Sequence, residues 1–365
     1  EAIISNFVYE HTTTRTAPVL AVLALKEKTK YGWSDQPLQN GLLIRLDNGS
    51  LDRVSHLAYS HLARSIKLEE LINSYAIFDA EMFAHRILHG AWSTGNSSLE
   101  GQWLDMESVS LIQGRGARCN ITKKYISNYF GYESRGIKQV IDQLINVLAL
   151  PLTRSEWEPR FDDARDKRVT YETMRLLGLE PRKISEAIRT FPDIHPISRE
   201  FEALAKKISP RKMNLNVFGN NFAGTHLLDF SEMFRNFPSL YKRGLDLEPY
   251  LIRLEELQHC LTERYNPENS AEEYLATHAV IEREKFEIFK RRTKQFLRVL
   301  VDLTTRLDEA GCIPKQEEWE LNAETANKGY PNFEQLTGAI REYVKMREEQ
   351  RISAQELNER LKKIL

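Results

Sequence analysis

Between residues 271 and 310, apolar residues recur at helical spacing inside a heavily charged stretch, and this pattern constrains the chain most. Ile281, Phe286, Phe289, Phe296, Leu300, Leu303 and Leu307 fall on one repeating face. A helix with such a stripe must bury it against another element. Gly311 follows the last periodic turn and Pro314 comes soon after, the usual signals that stop a helix. Further charged helices are expected at 248–265, 332–349 and 353–365. The last opens on the capping box Ser353-Ala354-Gln355-Glu356.

Composition narrows the class. The chain has 365 residues, 41% of them hydrophobic and 28% charged, with a formal net charge of -1. That is a globular balance, long enough for two or three domains, with no global bias toward polyanions. Cys119, Cys260 and Cys312 are widely spaced and odd in number, which argues against a disulfide framework and a zinc site. No apolar run is long enough for a membrane span, and residues 17–25 lack a signal-peptide cleavage site. The expectation is a cytoplasmic protein without a membrane partner or a cofactor.

Along the chain, Phe7–Glu10 suits a strand and Ala17–Lys28 a helix, with a loop from Tyr31 to Gln39. Leu42, Ile44 and Leu46 alternate ahead of the turn Asp47-Asn48-Gly49-Ser50, so a small β element is expected at 41–47. Residues 51–89 read as helical, and Gly90 with the 93–98 stretch reads as a hinge or boundary. Residues 151–167 read as a connection, 197–213 as a short basic helix, and 214–245 as loop with short helices. The fold class is therefore mainly α, a multi-domain helical protein divided into 1–106, 107–213 and a C-terminal helical assembly region, 214–365.

Two segments are each centred on a glycine. Lys123–Gln143 places Ile126 and Phe130 before Gly131, and Ile137, Val140 and Ile141 after it. Thr170–Phe191 places Leu177 and Leu179 around Gly178, then Ile184, Ala187 and Ile188, with Pro181 at a first helical position. Thr122 and Ser134 are candidate caps in the first segment. Met174 stands where the second segment should carry a small residue.

Both segments resemble the helix-turn-helix of bacterial DNA-binding proteins, over about forty residues of the chain. The resemblance implies that the second helix of each unit enters a major groove. Arg135, Lys138 and Gln139 in the first unit would then face DNA, as would Arg182, Lys183, Ser185 and Arg189 in the second. Lys123, Lys124 and Arg168 are placed for phosphate contacts. Local charge agrees, since residues 115–212 hold 20 Lys/Arg against 13 Asp/Glu. Leu148-Ala149-Leu150-Pro151 is also similar to a segment of plasmid partition proteins, but their upstream glycine-arginine-arginine motif is absent.

The resulting expectation is a DNA-binding protein of bacterial or mobile-element type, acting in regulation, partition or replication. Duplex DNA would be its partner, and the C-terminal helices would make it a homo-oligomer. A helical scaffold for a protein partner is the alternative. A metal-dependent nucleic-acid-processing enzyme is a second alternative, with Glu81, His85 and His89 four residues apart as its ligands. Against that, the same residues suit a half-exposed polar helix face. Gln113-Gly114-Arg115-Gly116-Ala117-Arg118 offers a weak phosphate cradle. On balance an enzyme is less expected than a binding protein.

Overall fold

A computed structural model describes residues 5–6, 8–9, 12–13, 16–17, 19–30, 37–45, 53–59, 67–89, 92–99, 101–105, 110–111, 118–122, 133–191, 194, 196–205, 209–215, 219–225, 230–243 and 291–327. They are mostly helical, and among them no helix is long and apolar enough to cross a membrane.

Helix α1 (Leu68–Ala84) lies at the centre. Tyr75, Ala76, Phe78, Ala80, Met82 and Ala84 have no exposed surface, so successive side chains are buried all round the helix, as suits a central position. Helix α2 (Glu133–Val147) packs Ile137, Val140, Ile141 and Leu144 into the same core. Helix α3 (Arg154–Leu176) runs along α1. Its first half occupies residues assigned from sequence to a connection. Two local features explain the helix. The Glu156 carboxylate accepts a 2.6 Å bond from the Thr153 backbone N–H. Trp157, Phe161 and Arg165, spaced four apart, are all buried on one face.

Gly178 ends α3 at φ +90°. Its N–H bonds the Arg175 carbonyl and the next N–H, from Leu179, bonds the Met174 carbonyl, which together make a Schellman closure. Helix α4 (Pro181–Thr190) then starts on Pro181 and buries Ile184 and Ala187, as the sequence predicts. Helix α5 (Pro196–Ala205) follows. Helices α6 (Phe230–Arg243), α7 (residues 291–309) and α8 (Gln316–Asn327) add further faces to the shared core. On α7, Phe296, Leu300, Leu303 and Leu307 are buried and Gly311 leaves the helix at φ +68°, so this part of the predicted stripe and the stop are present, while Ile281, Phe286, Phe289 and the helices expected at 248–265, 332–349 and 353–365 lie outside the described residues. Trp319 and Asn327 of α8 donate to the carbonyls of Leu177 and Leu176, satisfying the open end of α3.

The β content exceeds the expectation. Strands β1 (Val19–Thr29) and β2 (Leu38–Arg45) form an antiparallel hairpin, so residues 17–28 are not helical. Cross-strand partners such as Val22 with Leu43 override the helix-favouring Ala, Leu, Lys and Glu of this segment. Asn6 bonds both backbone groups of Val19 and Arg45 bonds the Ala17 carbonyl, anchoring the hairpin base. Residues 8 and 9, inside the strand expected at Phe7–Glu10, are helical, as are residues 5 and 6. Short strands β3 (Ile87–Leu88) and β4 (Ser110–Leu111) pair with each other. Strands β5 (Arg118–Thr122), β6 (Ser209–Leu215) and β7 (Gly219–Thr225) form an antiparallel sheet in the order β5-β7-β6. Helix α5 forms the first part of the short basic helix expected at 197–213, but β6 takes Ser209–Met213; within 214–245, expected as loop with short helices, β7 is a strand and α6 a helix, and Thr122 ends strand β5.

Candidate functional site

Three places concentrate polar side chains. The first is a buried seam between α1 and α3. Arg165 sits between Asp79 of α1 and Glu202 of α5, with its guanidinium 5.4 Å from the Phe83 ring centroid. Further along, Arg168 bridges Glu81 at 2.5 Å and Glu172 at 2.8 Å, and the Thr13 N–H donates to Glu81 at 2.9 Å. Glu172 also holds Arg175 at 2.8 Å. His85 Nε2 lies 2.8 Å from an Arg175 nitrogen and 3.4 Å from a Glu172 carboxylate oxygen.

Protonation follows the environment. Burial lowers the His85 pKa to about 4 against the pull of Glu172. Burial opposes ionisation of Glu172, but His85, Arg175 and Arg168 outweigh it and hold the carboxyl at about 2. Burial raises Glu81, opposed by Arg168 and Thr13. Each of these charges is answered inside the seam, which fixes how α1 meets α3.

This arrangement revises the metal expectation. Glu81, His85 and His89 are buried and not half-exposed. Helix α1 ends at Ala84, and Arg86 at φ +57° turns the chain away, so His89 lies beyond β3 on a different element. Its Nε2 lies 2.9 Å from the Leu104 carbonyl and its backbone N–H meets Glu133 of α2 at 2.7 Å. Among the described residues no group of three or more His, Cys, Asp or Glu could hold a metal ion.

The second place is the surface of α2 and α4. Lys123 and Lys124 lie outside the described residues, as does Gly131. Arg135 and Gln139 are exposed on α2. Lys138 is half-buried and spans Glu158 at 2.7 Å and Asp162 at 2.6 Å. Arg168 belongs to the seam. On α4, Arg182, Ser185 and Arg189 are exposed and Lys183 lies 3.7 Å from Glu186. The Ser185 hydroxyl donates to the Pro181 carbonyl. The structure therefore brings together Arg182, Lys183, Ser185 and Arg189, and turns Lys138 and Arg168 inward.

The third place is the loop from Ser93 to Asp105, which the sequence marks only as a break. It rests on aromatic rings. Trp103 lies 4.7 Å from Trp92, 4.6 Å from Phe78 and 4.6 Å from His89 between centroids. Backbone bonds lace the loop to itself. Ser98 N–H meets the Gln102 carbonyl at 3.0 Å, and Leu104 N–H meets the Asn96 carbonyl at 2.9 Å. Tyr75 Oη donates to the Ser98 carbonyl, and Arg53 donates to that of Gly95. Asp105 leaves the loop at φ +60°, a left-handed conformation uncommon outside glycine. The Leu104–Asn96 bond ties the backbone next to Asp105 to that of Asn96. Both are half-buried, as are Ser93 and Thr94. Burial lowers the His89 pKa to about 4, with the Leu104 carbonyl and the nearby Asp105 opposing it. A polar run bracketed by Trp92 and Trp103 was the available sequence signal.

No protein-family model matches the sequence, and no curated protein is significantly similar to it.

Proposed function

We propose that this protein works through the 93–105 loop, binding a hard divalent cation together with the phosphate-bearing compound such a cation carries. The observation that supports it is the left-handed backbone of Asp105, next to the Leu104–Asn96 bond on a loop held by its own hydrogen bonds and an aromatic base. Non-glycine residues held in left-handed conformations concentrate at functional sites. Amide and carboxylate oxygens are hard ligands. Magnesium typically takes one or two protein oxygens and fills its remaining positions with water and phosphate. This reading moves the metal-dependent alternative away from Glu81, His85 and His89. Titration with Mn2+, followed by its electron paramagnetic resonance signal, tests it. Wild-type protein should bind at a Kd on the order of 10⁻⁴ to 10⁻³ M, the range of weak oxygen-ligand sites. Asp105→Asn should weaken binding about tenfold or more while the thermal transition stays in place. Indifference of binding to Asp105→Asn would sink the reading.

A second reading keeps DNA as the partner, and the exposed cations of α4 favour it. Helix α2 meets α3 near Glu158 and α4 follows Gly178, so the two candidate reading helices lie roughly 30 Å apart along α3. That is close to the ~34 Å between successive major-groove faces. Pairing through the C-terminal helices would lengthen the site. Arg182→Ala with Arg189→Ala should relax sequence preference as well as weaken binding. Unchanged preference would remove this reading.

A further inference from the structure

The segment from Ile288 to Val301 contains no acidic residue and five basic ones, Lys290, Arg291, Arg292, Lys294 and Arg298. On α7 the inner positions Thr293, Phe296, Leu297 and Leu300 are buried, which fixes the rotation of the helix. Arg291, Arg292, Lys294 and Arg298 are thereby turned outward and exposed. Together with Gln295 they line a shallow hollow of about 390 Å³. No ion pair joins any of these four cations to a described carboxylate. The nearest acid on the outer face of α7 is Asp302, one turn beyond Arg298.

From this we infer that the outer face of α7 is a binding surface for the phosphate backbone of nucleic acid. Arg291, Lys294 and Arg298 follow one another at three- and four-residue steps, forming one stripe. The stripe spans roughly 10 Å of helix axis, about three base-pair rises. Exposed cations keep their charge available for a polyanion, and release of its condensed ions drives such binding. Guanidinium groups suit phosphate because their N–H groups engage two oxygens at once. Phosphate contacts carry no sequence information, so this surface positions the strand and does not read it. Arg306, two turns along α7, lies 4.7 Å from the Phe191 ring centroid at the end of α4, so the stripe runs toward that helix. The inference rests neither on the 93–105 loop nor on base reading by α4.

The test is anisotropy of labelled duplexes of two unrelated sequences, measured on the full chain across a salt series. The wild type should bind both alike, with log affinity falling linearly against log salt. The triple variant Arg291→Glu, Lys294→Glu, Arg298→Glu should lose about 100-fold in affinity, and its salt slope should shrink by about 3. Should the acidic variant fail to fold, the glutamine triple variant should shrink the slope by the same amount. Arg182→Ala with Arg189→Ala, a change on α4, should leave this loss in place when combined with the triple variant. An unchanged slope in a folded variant overturns the inference. So does wild-type binding to phosphatidylserine vesicles with none to DNA.

Discussion

The seam between α1 and α3 and the outer face of α7 use the same chemistry to opposite ends. In the seam, Arg165 and Arg168 lie against buried carboxylates, and Arg165 is itself almost fully buried. On α7, Arg291, Arg292, Lys294 and Arg298 stand outward without a described carboxylate. A buried arginine must be answered locally, because an uncompensated charge costs several kcal/mol in a low-dielectric interior. An exposed one remains hydrated and available. Partner geometry, and not residue type, separates the two faces.

Breaking the seam should give the largest effect. Arg165→Met strands Asp79 and Glu202 beside the core, and urea unfolding should lose about 3–5 kcal/mol. Replacing Asp79 by Asn in the same chain should recover part of that loss. No recovery would mean that Arg165 acts mainly by packing on Phe83.

The seam should also make stability pH-dependent. His85 is neutral when folded, with a pKa lowered to about 4 from 6.5. Its unfolded form therefore binds protons first, and stability falls as pH drops from 6.5 toward 4, by about 3 kcal/mol at most. Glu172 has a depressed folded pKa of about 2, so its contribution is present above 4.5 and is lost as pH falls further. In His85→Gln the loss between pH 6.5 and 4 should fall by about half, leaving the part that His89, shifted to about 4 as well, contributes. A loss of unchanged size would assign the upper limb to another group.

Gly178 extends the comparison to shape. A Cβ there would lie 2.7 Å from the Trp319 carbonyl oxygen and 2.7 Å from the Ala323 nitrogen, on a backbone at φ +90°. Gly178→Ala should cost about 2–3 kcal/mol in urea unfolding, from strain and loss of contact with α8. A cost below that of an ordinary surface change would mean that α8 can yield.

What the sequence reveals follows from these physical differences. The apolar positions Phe296, Leu300, Leu303 and Leu307, the Gly311 stop, and the corner Gly178–Pro181 are all visible, because periodicity and special backbone angles leave local marks. Asp79, Glu81, Arg165 and Glu172 break the rule that charges lie outside, so a periodicity reading turns their helix faces toward water. Trp157 and Phe161 were read as a connection because the charges between them hide their common face. The second strand of the hairpin meets the β element expected at 41–47, but the first does not show in the sequence: Val19–Lys28 favours helix locally, and only pairing with the distant Leu42 and Leu43 decides otherwise. Asp105 and Asn96 carry no motif; only the folded loop relates them, through the backbone bond between Leu104 and Asn96.

The smallest expected effect on stability tests the comparison from its open side. Arg182 and Arg189 are exposed on α4, and neither is joined by an ion pair to a described carboxylate, unlike Lys138 on α2. Arg182→Ala and Arg189→Ala should each change unfolding free energy by less than about 0.5 kcal/mol. Lys138→Ala should cost more, about 1 kcal/mol, since Glu158 and Asp162 would lose a shared partner and Phe161 a cation 5.4 Å from its ring. The reverse order, with α4 the more sensitive, would place Arg182 and Arg189 among the structural charges.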